Sequence, residues 1–124
     1  MAPSASSIKY FISAMENHNI VSEIKKIDSY VYKISRGLKR EPVIVLLTDT
    51  YVASEADVIE LLDESKPFEI NAIILIGFMN MYADDAKARA KKLQIGLFKL
   101  GELMGAINYT NNRFIDYEPK GKNN

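Results

Sequence analysis

Pro42-Val43-Ile44-Val45-Leu46-Leu47-Thr48-Asp49 is an apolar run that carries no charge until its closing aspartate. It is short for a helix and rich in valine, isoleucine and leucine, which is the composition of a strand covered on both faces. Ile70-Asn71-Ala72-Ile73-Ile74-Leu75-Ile76-Gly77 has the same character, and a helical pattern lies between the two. A strand, a helix and a second buried strand imply a right-handed crossover within one sheet, so this pair of runs decides an α/β fold.

Upstream of the central run, Arg36-Gly37-Leu38-Lys39-Arg40-Glu41 is a polar turn containing a glycine. Before it, Tyr30, Tyr32 and Ile34 alternate with Val31 and Lys33, and residues 20–35 read as two strands meeting at a bend near Lys26 to Ser29. The strand that enters the turn and the central strand that leaves it form an antiparallel hairpin. The chain opens with a helix, because Ile8, Phe11, Ile12 and Met15 fall on one helical face. Ser6 or Ser7 is its expected cap and Asn17-His18-Asn19 its stop, with His18 read as a solvated loop residue.

Downstream, Ser54-Glu55-Ala56-Asp57 is a capping box with acids in the first helical turn, and Val58, Leu61 and Leu62 form the buried stripe. Pro67 ends that helix. After the second buried strand, residues 77–82 read as an apolar loop, then residues 84–93 as a helix with a small face of Ala83, Ala86 and Ala90. Residues 95–100 read as a short strand and 101–108 as a short last helix. Together these elements predict a three-layer α/β/α domain with a mixed central sheet. It occupies residues 1–110, and residues 111–124 form a C-terminal tail, partly disordered and frayed at Lys120-Gly121-Lys122-Asn123-Asn124.

Composition narrows the classes. The chain has 124 residues, 48% hydrophobic and 26% charged, enough for one domain with its own core. With 16 basic and 16 acidic residues the formal net charge is zero, so no overall field selects a polyanion, though a local basic face remains open. No cysteine is present, which removes disulfides, thiolate nucleophiles and cysteine metal sites. The start lacks the basic and apolar regions of a signal peptide, and the apolar runs are too short to cross a bilayer, so no membrane partner and a cytoplasmic location are expected. No Gly-rich phosphate loop, Ser/His/Asp set or spaced histidine pair is present, which argues against nucleotide hydrolysis and acyl transfer and leaves no cofactor expected.

The element order, with the helix Asp84-Asp85-Ala86-Lys87-Ala88-Arg89-Ala90-Lys91-Lys92-Leu93 and the strand-to-helix stretch Ile95-Gly96-Leu97-Phe98-Lys99-Leu100-Gly101-Glu102-Leu103, resembles the restriction-endonuclease-like, or PD-(D/E)xK, nuclease fold. The likeness is to the small domains of type IV restriction enzymes and archaeal Holliday-junction resolvases, over residues 5–108. In that family an aspartate at the second strand and a Glu-x-Lys on the third hold a divalent metal and orient the attacking water. The resemblance places Asp28 at the family's first aspartate. Where Glu-x-Lys belongs, this chain has Val45, Leu46, Leu47 and Thr48. Asp49 is the stand-in for the glutamate, Glu16 matches an additional acid of some members, and Lys33 is the nearest substitute for the missing lysine.

The resemblance therefore implies a nuclease-like domain that has lost cleavage and acts in DNA binding or as an interaction scaffold, and it implies homodimers, since relatives commonly pair. The alternatives are a divergent metal-dependent endonuclease using Asp28 and Asp49, with Glu16 as a further metal ligand and Mg²⁺ as cofactor, and a protein-interaction module with no nucleic-acid role. The basic residues expected to meet DNA are Lys25, Lys26, Lys33, Arg36, Lys39 and Arg40 on the hairpin and Lys87, Arg89, Lys91 and Lys92 on the later helix. The bland reading of each charge is a solvated face, and of Asp28 and Asp49 ordinary turn residues. Tyr30, Tyr32, Tyr51, Phe78 and Tyr82 are read as core and interface packing, with base stacking the alternative, and the apolar loop at residues 77–82 as part of an oligomer contact.

Overall fold

In the computed structural model, which describes residues 2–119, the run beginning at Val43 becomes the middle strand of a five-stranded sheet. The elements in chain order are α1 (Ala5–Glu16), β1 (Val21–Asp28), β2 (Val31–Arg36), β3 (Val43–Thr48), β4 (Val52–Ala53), α2 (Glu55–Glu64), β5 (Ala72–Leu75), β6 (Met81–Tyr82), α3 (Asp84–Lys92), β7 (Gly96–Lys99), α4 (Leu100–Ala106) and α5 (Asn111–Ile115). The sheet order is β1-β2-β3-β5-β7. Its first two pairings are antiparallel and its last two parallel, so the sheet is mixed.

Strand periodicity divides the core in two. Val45, Leu47, Ala72, Ile74 and Phe98 face one way, packed with Phe11 and Met15 of α1, Leu103 and Ala106 of α4 and Phe114 of α5. Leu46, Ile73, Leu75 and Leu97 face the other way, against Val58 of α2 and Ala86 and Ala90 of α3. The methyl side chains of Ala86 and Ala90 are fully buried and let α3 lie close on the sheet.

Tyr32 packs edge-to-face on Phe11, with centroids 5.5 Å apart, and burial raises its phenol pKa above the ordinary value. The neutral phenol is therefore the form the fold prefers. Below about pH 10 both states are protonated; above it the unfolded chain ionises first, so stability falls as pH rises. Urea midpoints measured from pH 8 to 11 should show a downward slope that is shallower in Tyr32→Phe. Equal slopes would refute the assignment.

Several local features differ from the sequence reading. Ser4, not Ser6 or Ser7, caps α1, its hydroxyl accepting from the Ser7 N–H at 3.1 Å. His18 is a tie between elements: its Nδ1 accepts from the Ile20 N–H at 3.1 Å, which leaves Nε2 to donate to the Met104 carbonyl at 2.8 Å. The loop at residues 77–82 contains β6, paired in parallel with β4. The segment from residue 111, expected as a tail, carries α5, whose Phe114 is buried against Phe98; Lys120-Gly121-Lys122-Asn123-Asn124 lie outside the described residues. The Ser54 capping box forms as expected, with both reciprocal bonds to Asp57.

Candidate functional site

The β1–β2 hairpin lies at the edge of the sheet, and its register places Lys25 directly across from Lys33. Cross-strand partners project from the same face, and like charges at such a position repel. Tyr32 and Ile34 turn toward α1, so Lys33, and with it Lys25, projects on the side of α2 and α3. Both lysines are exposed. Glu23 lies two residues along that face, opposite Ser35, and Lys26 projects from the opposite face. Among the described residues none of these lysines is in an ion pair.

The other basic residues divide by what holds them. Arg36, expected on the DNA-facing hairpin, is buried. It donates through Nε and Nη2 to the Glu41 carbonyl at 3.0 and 2.6 Å, and through Nη1 to the carbonyls of Ile107 and Tyr109 at 3.0 and 2.6 Å. Its guanidinium also lies over the Phe114 ring at 5.8 Å. It thus neutralises the C-terminal, negative end of α4, and burial, then the neighbouring Arg40, lowers its pKa from the ordinary arginine value. Arg40 donates to the Asn108 carbonyl at 3.0 Å. Lys87, expected on the basic side of α3, is likewise buried, its Nζ donating to the Leu97 carbonyl and lying 4.3 Å from the Phe98 ring centroid. Arg89 pairs with Glu55 at 3.7 Å and Lys91 with Glu118 at 3.3 Å. Lys39 and Lys92 are exposed, and Lys39 lines a polar groove of about 450 Å³ with Glu41, Asn71, Gln94 and Asn111.

The acidic candidates do not share one setting. Asp28 is exposed at the end of β1 and lines a groove of about 230 Å³ with Ser29, Tyr30, Thr48 and Glu64. Asp49 is outside that lining; its Oδ1 accepts from Asn80 Nδ2 at 2.9 Å. Glu16 ends α1, at a helical rise of roughly 16 Å from the first turn of that helix, whereas Ala2, just before α1, is the residue that reaches the Asp28 groove. Lys33 is not in the lining either. Among the described residues no group of three or more Asp, Glu or His side chains is placed to hold a metal ion. Glu64, absent from the sequence reading, lines the same groove as Asp28 because the end of α2, with Leu61 and Ser65, forms part of its wall, a placement with no local signature.

The carboxyl ends of the parallel strands form a second polar assembly. Asn80 is buried, and its Oδ1 accepts from the N–H groups of Thr50 at 3.1 Å and Gly77 at 2.9 Å, while its Nδ2 holds Asp49. One amide side chain thereby joins the loops after β3 and β5. Glu102, at the start of α4, accepts from the Lys99 N–H at 2.9 Å and from the Tyr82 hydroxyl at 2.7 Å. These bonds occupy the groups that an open α/β sheet commonly turns to a ligand. Around them the surface is apolar: Tyr10, Tyr51, Val52, Phe78, Met79 and Met81 are all exposed.

No protein-family model matches this chain, and no curated protein or solved structure matches it either. Among the described residues no helix is long and apolar enough to cross a membrane.

Proposed function

We propose that this chain is a nuclease-like α/β domain that has lost the cleavage residues and binds a nucleic-acid backbone through its edge hairpin. The observation that carries the reading is Lys25 across from Lys33. Two exposed cations facing each other cost stability, and a phosphate between them would turn that repulsion into attraction. Local rules are most often broken where function requires it. Lys26 adds a cation on the other face of the same edge strand. The absent Glu-x-Lys on β3, where Val45 to Leu47 are apolar, supports binding without cutting.

The test is fluorescence anisotropy of labelled duplex, single-stranded and branched DNA over a salt series, with and without Mn²⁺, followed by a gel. Wild type should bind with a strong salt dependence and leave the DNA intact. Lys25→Gln/Lys33→Gln should weaken binding to every sequence alike, by roughly tenfold per lysine at 0.1 M salt, and lower the salt slope by about 2. The same variant should melt no lower than wild type, because it removes a repulsion. No binding at low salt would remove nucleic acid from the account, and metal-dependent fragments lost in Asp28→Ala would replace it with an active enzyme.

A further inference from the structure

The exposed apolar residues at the carboxyl end of the sheet are tied to one another by backbone pairing and a shared groove. Val52 is paired with Met81, the Met81 N–H donates to the Tyr51 carbonyl at 2.9 Å, Met79 and Phe78 precede in the same loop, and Phe78 and Tyr10 line one groove. Phe78 is 98% exposed at the tip of a loop whose base is fixed by Asn80. At about 200 Å² for a full aromatic side chain, these six residues leave roughly 750 Å² open to solvent, above the few hundred Å² typical of the largest patch on a monomer. That area matches the approximately 800 Å² per partner of a standard stable interface.

The groove beside Phe78 has a volume of about 340 Å³ and is lined by Ser6, Tyr10, Ile76, Leu100 and Gly101, which is space enough for a benzene-sized group. A projecting ring next to a ring-sized groove is self-complementary, the requirement for a two-fold contact. We propose that Phe78 of one copy seats in this groove of a second copy, and reciprocally, to form an isologous dimer. Charge favours a second copy over a lipid surface. The loop residues from Gly77 to Ala83 carry no charge, and the exposed acids Asp84 and Asp85 follow them at once, where an anionic membrane would be repelled. Lys99 lines the groove, while the acids Asp84 and Asp85 follow the loop that carries Phe78, so a second copy offers base at the groove and acid behind the projecting ring. Phe78 is held by a rigid base, so little ordering entropy opposes the contact.

The experiment is sedimentation velocity over roughly 1–200 μM, on wild type and Phe78→Glu, with melting curves of both and a vesicle-pelleting assay using phosphatidylcholine with and without phosphatidylserine. Wild type should be a dimer and melt higher as concentration rises. Phe78→Glu should be a monomer, its dissociation constant raised at least ~30-fold, with its circular dichroism spectrum and low-concentration melting unchanged because the side chain touches solvent in the monomer. A wild type that stays monomeric throughout overturns the proposal, as does a dimer that survives in Phe78→Glu. Monomers that pellet with vesicles would assign the patch to a lipid surface instead.

Discussion

Replacing Arg36 with alanine is expected to lower stability by about 3–5 kcal/mol, the combined cost of leaving three carbonyls without their donor and of the void left by a buried side chain. For a domain of this size that is a fall in melting temperature of roughly 12–20 °C. The physical reason is that one guanidinium serves acceptors from two distant parts of the chain: Glu41 in the turn after β2, and Ile107 and Tyr109 beyond α4. Alanine leaves those carbonyls unpaired and opens a void beside Phe114. Lysine keeps the charge and loses the planar fork, so Arg36→Lys should recover only part of the loss. Chemical denaturation of the three proteins measures this directly. A loss under about 1 kcal/mol in Arg36→Ala would mean that water replaces the guanidinium, and the clasp between hairpin and C-terminal helices would have to be abandoned.

Gly77→Ala is expected to cost about 2–4 kcal/mol, from overpacking together with a broken buried hydrogen bond. A methyl on Gly77 would overlap Asp49 Oδ1 and the amide of Asn80, whose Cγ would be 2.8 Å away. Asn80 cannot retreat cheaply, because it is buried and also holds the N–H groups of Thr50 and Gly77. Gly101 is the control: a methyl there meets nothing within 4 Å, so Gly101→Ala should be neutral or slightly stabilising. A double-mutant cycle isolates the cause. In an Asp49→Ala background Gly77→Ala should cost at least 1 kcal/mol less, since one of its two obstacles is gone. Additive losses would mean that the glycine is required for some reason other than this contact.

Where the sequence was readable, the signal was local. β5 is apolar at every position and β3 at every position but the closing Thr48, because both faces of the sheet are covered, and that composition does not depend on which helices cover them. The capping box at Ser54 is closed within a single turn, so its residues determine it alone. The basic set was not readable in the same way. Lys25 and Lys33 stay at the surface, whereas Arg36 and Lys87 are buried, although nothing in the residues beside them in the chain, Ser35 and Gly37 for Arg36 and Ala86 and Ala88 for Lys87, marks those two for burial. What separates them is an acceptor from elsewhere: Ile107 and Tyr109 for Arg36, Leu97 for Lys87. Asp49 and Asn80 meet across two loops, and β4 and β6 are too short to announce themselves.

Burial written into consecutive residues marks the longer helices and strands, and hence an α/β domain with a mixed sheet. Which charges face water, which loops lock together and where apolar side chains remain open follow from contacts between elements far apart in the chain. The reason is range. Hydrophobic burial acts on any covered surface and so leaves a periodic imprint on the chain, while hydrogen bonds and ion pairs need a particular partner at about 3 Å, and that partner is chosen by the fold.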